Sequence, residues 1–153
     1  MFLKSVLTAA TAAAALSSVA LAQDMSQDPT YGTADLAPGF LPDPWEVAVT
    51  AGGSIDASVA IGQNCVGMIA DAPDYRVNLS AGGGALYFGV VSGGDTTLVI
   101  NAPNGEWFCD DDGGESLNPF LGGEGALEGQ YDVWVGHLSG DASATLFVTE
   151  IGQ

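Results

Sequence analysis

Asp110, Asp111 and Asp112 stand in a row, directly after Cys109 and directly before Gly113 and Gly114. Three hard oxygen donors beside glycines that let the backbone wrap an ion suit calcium better than zinc or copper, which take softer nitrogen and sulfur ligands. Adjacent carboxylates repel one another, and a divalent cation neutralises them. On an extended segment alternate side chains point opposite ways, so Asp110 and Asp112 could share an ion while Asp111 faces elsewhere. Asp95, Glu115 or Asn118 would complete the shell if the neighbouring loops fold back. The later spacing is not that of an EF-hand. The same run also reads as a solvated loop whose charge keeps the protein soluble.

Other residues carry weaker chemistry. His137-Leu138-Ser139-Gly140-Asp141 holds the three residue types of a serine-hydrolase triad within one short stretch. Triads converge from separate elements, and the chain has no Gly-x-Ser-x-Gly elbow, so this stretch reads as a turn after a strand. His137 is the sole histidine. Glu106 and Asp110 could be a glycosidase carboxylate pair, although among 19 acids some lie close by chance. Trp107 and Trp134 could form a platform for stacking sugars, or fill a small core.

The elements that must position these residues begin with a hairpin over residues 95–112. Its first part reads as a β-branched strand, in which Leu98-Val99-Ile100 suits burial on both faces. Ala102-Pro103-Asn104-Gly105 turns the chain, because proline presets φ and asparagine and glycine tolerate positive values. An aromatic strand returns to Cys109. Alternation predicts further strands at Trp45 to Thr50, Tyr75 to Leu79, Leu86 to Val91, Gln130 to Gly136 and Ala142 to Thr149. Gly52-Gly53 is expected to join the first of these to a second strand, Ser54 to Val59, as a hairpin. Residues 67–70 read as a short strand, and residues 113–125 as irregular. Gly82-Gly83-Gly84 reads as a turn, since no Gly-Lys-Ser/Thr sequence and no helix follow it. Many short strands, glycine-rich turns and no sustained helical period predict an all-β sandwich, jelly-roll-like, over residues 45–153.

Residues 1–22 have the form of a cleaved signal peptide, with Lys4, an apolar stretch and Ala20-Leu21-Ala22 as the cleavage site. Residues 23–44, with Pro29, Pro38, Pro42 and Pro44, are expected to be an extended leader whose Phe40 and Leu41 could clip onto the domain. Removal of the signal leaves Arg76 as the sole base against 19 acids, a formal charge of −18. Such a surface repels nucleic acid and anionic membranes. Cys65 and Cys109 are the only cysteines, and in an exported chain pairing them is the economical reading. The expected location is periplasmic or secreted.

Residues 95–105, the aspartates 110 to 112, Asn118-Pro119, the run from Gly129 to Gly136 and the closing Ala144 to Val148 together resemble the bacterial pre-peptidase C-terminal domain family. The resemblance is best over residues 75–149. It implies a compact β-sandwich that accompanies secreted enzymes as a non-catalytic module, in some members with calcium. The reading is therefore an exported, non-catalytic binding or structural module, with an extracellular protein or a polysaccharide as the class of partner. The alternatives are a small secreted hydrolase and a carbohydrate-binding module.

Overall fold

The computed structural model describes residues 23–62 and 64–153, so the signal peptide expected over residues 1–22 lies outside the described residues. In chain order these residues form β1 (Thr33–Leu36), β2 (Trp45–Ala51), β3 (Ile55–Asp56), a helical turn α1 (Ala57–Ala60), β4 (Met68–Ile69), β5 (Tyr75–Leu79), β6 (Leu86–Ser92), β7 (Thr96–Asn101), β8 (Trp107–Asp110), β9 (Phe120–Gly123), β10 (Gly129–His137) and β11 (Ala142–Thr149).

The longest strand, β10, is the spine of one sheet. β7 runs antiparallel along one of its edges, from Asp132 opposite Asn101 to His137 opposite Thr96. β5 pairs with the first half of the other edge, and β4 takes its far end, where Met68 lies opposite His137. β1 continues this sheet beyond β5 in parallel, β8 continues it beyond β7, and β3 beyond β4. The second sheet is antiparallel throughout, in the order β2-β11-β6-β9.

Alternation decides what lies between the sheets. Tyr131, Val133 and Val135 of β10, Val77 of β5 and Leu98 and Ile100 of β7 meet Leu86, Phe88 and Val90 of β6 and Leu146 and Val148 of β11 in one core. Each fully buried aliphatic side chain contributes about 1.5–3 kcal/mol. The all-β sandwich expected from the strand pattern is the fold.

A second, smaller core sits on the outer face of the β10 sheet. The same alternation that turns Val133 inward turns Val99 and Trp134 outward, and the segments 55–62 and 64–70 fold over them with Ala57, Cys65 and Ile69. Asp56 caps α1 by accepting from the Ser58 amide at 2.9 Å, and the Cys65–Cys109 disulfide, Cα–Cα 5.2 Å, ties this flap to β8. Close approach is built into β10 as well. A Cβ on Gly136 would lie 2.5 Å from Thr97 Oγ1 and 2.9 Å from the Met68 carbonyl, so only glycine lets β4 dock there.

Several expectations need correction. Gly52-Gly53 does not close a hairpin: β2 pairs with β11, whereas β3 belongs to the other sheet, so these glycines carry the chain between layers. Ser54 to Val59 is only in part a strand, because the Asp56 cap starts a helical turn there. The leader is no appendage. Pro29 and Pro38 flank Thr33–Leu36 without interrupting it, so β1 pairs with β5, and Ala34, Leu36 and Phe40 join the core while Leu41 stays exposed. Arg76 secures the chain before β1, donating from Nη2 to the carbonyls of Met25 (2.8 Å) and Gln27 (3.3 Å) while its Nε meets Asp132 at 2.7 Å. Residues 113–125 are not wholly irregular either, since they contain β9.

Candidate functional site

β8 closes one side of the first sheet and β9 closes the same side of the second, and between them the sandwich stays open. The result is a groove of about 560 Å³ lined by Leu86, Ile100, Ala102, Phe108, Leu121, Gly123, Leu127 and Tyr131, with Asn104, Glu106 and Glu124 at its mouth. The register explains why it is apolar. Phe108 lies opposite Ile100 and so faces inward, yet β9 is too short to cover it, and it is 47% exposed. Gly123 lies opposite Leu86 on the inward face of β9, and among the described residues nothing stands within 4 Å of where its Cβ would be. Its missing side chain is part of the groove.

Both ends of the groove are fixed. At one end the Asp110 carboxylate, through Oδ2, accepts from the amides of Gly113 (2.8 Å) and Phe120 (2.9 Å), clamping β8 to the start of β9. At the other, the Tyr131 hydroxyl donates to the Leu127 carbonyl at 2.8 Å and accepts from the Leu127 amide at 2.9 Å. Burial raises the Tyr131 pKa above its ordinary value, so the phenol stays neutral and able to donate.

The acidic side chains point to different tasks rather than to one another. Among the described residues no three His, Cys, Asp or Glu side chains converge on a common point. Asp110 is engaged in the clamp, Asp111 is half-buried, and Asp112 and Glu115 are exposed. Asn118 is a buried structural residue: Oδ1 accepts from Thr96 Oγ1 at 2.7 Å, and Nδ2 donates to the Ser92 carbonyl at 3.0 Å. Asp95 leads into β7, with its backbone carbonyl accepting from the Leu138 amide at 3.1 Å. Loop position relative to β9 could not be read from the sequence, and it decides which carboxylates have work to do.

The remaining candidates resolve into packing and turn chemistry. Trp134 is fully buried, and its ring centroid lies 5.4 Å from that of Trp107 in the second core, so this pair offers no platform. His137 Nε2 lies 3.3 Å from Asp141 Oδ1, while Ser139 is exposed on the following turn and no hydrogen bond joins it to His137 among the described residues. Glu106 hydrogen-bonds Asn104 on the hairpin turn, whereas Asp110 accepts two amides, which leaves no paired acid and base. One buried acid was not singled out from the sequence. Asp74 sits in the gap on the β10 edge between β5 and β4, where its Oδ2 accepts from the Val135 amide at 2.7 Å in place of a strand carbonyl. Burial pushes its carboxyl up to about 7, against the lowering effect of that bond.

No protein-family model matches this chain, and no curated protein is similar to it. Among solved structures, the chain is similar to the crystal structure of PliG from Aeromonas hydrophila, a periplasmic lysozyme inhibitor of g-type lysozyme. The TM-score is 0.39 and the identity 12%, over 80% of this chain and 98% of that one. A likeness of that size carries neither fold nor function.

Proposed function

We propose that this protein is an exported, non-catalytic β-sandwich module that holds a partner in the groove between β8 and β9. The observation that carries the reading is the groove itself: an apolar slot with fixed ends and a polar mouth, in a molecule whose candidate catalytic residues are committed to packing, clamps and turns. Binding sites are typically concave, mainly apolar and largely preformed. The Cys65–Cys109 disulfide supports a periplasmic or extracellular location, because such bonds persist in oxidising compartments. Gly123→Leu tests the proposal, since position 123 has room for a side chain and no positive φ. The mature protein should bind the neutral fluorophore Nile red with saturable enhancement, and the variant should lose that binding while keeping its unfolding midpoint. Equal binding by both proteins would place the apolar site elsewhere.

A second reading, binding of a neutral polysaccharide, is favoured by a different surface. On the outer face of the β6–β9 pair, Tyr87 and Phe120 lie parallel with centroids 5.4 Å apart and Phe147 adjoins them, and a Cβ on Gly89 would clash with both Phe rings. Aromatic faces of this kind stack on sugars. Retention of the mature protein on an insoluble glucan, lost in Phe147→Ala, would support it; no retention would remove it.

A further inference from the structure

We propose that the occupant of the β8–β9 groove is an extended segment of a cationic protein, its apolar side chains seated in the groove and its basic side chains flanking the mouth; this rests on the groove reading above. Shape comes first. Among the described residues β8 pairs only with β7 and β9 only with β6, so each has a free edge on the groove side. The Ala102 amide is bonded to the Glu106 carbonyl, and the alternation of an antiparallel ladder then turns the backbone groups of Phe108 and Asp110 toward β7 and those of Trp107 and Cys109 outward. Unpaired edge groups accept an added extended strand, with its alternate side chains taken up by pockets.

Charge selects among extended segments. Glu106 and Glu124 stand exposed at the mouth, the Glu106 carboxylate is held by Asn104 Nδ2 at 2.7 Å, and among the described residues no basic side chain lines the groove. Arg76, the base of the mature sequence, is engaged by Asp132 in the β5–β10 part of the sheet. A second copy of this chain would bring another formal −17 against the same acids, and nucleic acid would bring its phosphates. A basic, apolar segment matches both features at once.

The test uses the mature, disulfide-bonded protein and a short peptide alternating lysine and valine, with a glutamate and valine peptide as control. Binding is followed by fluorescence anisotropy beside Nile red binding. The lysine peptide should bind and compete with Nile red, and the glutamate peptide should not. Glu106→Gln with Glu124→Gln should weaken the peptide about tenfold, since each exposed charge pair contributes modestly. Nile red binding should be unchanged in that variant, and Gly123→Leu should abolish peptide binding. If Nile red binds the groove but the lysine peptide does not, or binds Gly123→Leu as well as the wild type, the cationic occupant is wrong while the groove reading stands. Failure of Nile red itself would overturn both.

Discussion

The carboxylates divide by what each one touches. Asp110 terminates β8, and its Oδ2 serves the amides of Gly113 and Phe120 at once. Removing an ionised acceptor leaves both donors without that partner, and hydrogen bonds to charged groups contribute about 1.5–3 kcal/mol each. Because the first bond is exposed and the second only partly buried, water makes up part of the loss, and Asp110→Ala should lower the urea-unfolding free energy by ~2–3 kcal/mol, less than the sum of the two bonds, equally in calcium and in chelator at matched ionic strength. A loss seen only in calcium would point to an ion site instead. That three aspartates follow Cys109 was legible in the sequence. That the first of them bonds a residue ten positions later was not, because the bond depends on where β9 begins. Asp74 was equally hidden, since its role arises from a gap between two strands that share one edge of β10. Its folded pKa of about 7 lies above the ordinary carboxylate value of 3.8, so the folded state holds its proton more tightly. The associated stability is fully present below about pH 4 and is lost as pH rises through about 7. Asp74→Asn, whose amide oxygen can accept the same bond, should be more stable than wild type at pH 8, by a difference on the order of 4 kcal/mol at most. The advantage should shrink toward zero near pH 4. A difference constant across that range would contradict the buried-charge account.

The hairpin of β7 and β8 and the alternation in β10 and β11 were readable because each has enough residues to show period two, and because a Gly105 amide bonded to the Ala102 carbonyl at 2.8 Å is what Pro-Asn-Gly encodes. β1 and β9 are four residues each, flanked by glycine and proline, and their pairing is imposed by the strands beside them. The flap was half-legible. Pairing of Cys65 with Cys109 followed from their being the sole two, but nothing local announced that Ala57, Cys65 and Ile69 would cover Trp134 and turn a proposed platform into a core. The bond closes a loop with a sequence separation of 44, which the chain-entropy model values at ~4 kcal/mol. Cys65→Ser with Cys109→Ser should lower stability by about that amount. It should also shift tryptophan emission to the red as the flap loosens from Trp107 and Trp134. Unchanged stability and emission would mean that packing alone holds the flap.

At the scale of the whole molecule, two sheets share a core, the flap covers the outer face of one, and the open side lies between β8 and β9 under a rim of acids. A formal charge of −17 repels anionic partners over the whole surface, so charge alone would attract a cation anywhere; the groove is what gives it an address. The same distribution bears on catalysis, because among the described residues the ionic partner of His137 is Asp141 of its own turn. His137→Ala should leave the mature protein folded and as inert toward peptide and ester substrates as the wild type, and hydrolysis lost in the variant would revive the hydrolase reading. The most direct measurement of the central claim is a titration of the isotope-labelled mature protein with the lysine and valine peptide, followed through backbone amide resonances. The largest shifts are expected at residues 107–110 and 120–126, the two edges of one groove. Shifts spread evenly over the acidic surface, or centred on residues 137–141, would contradict it.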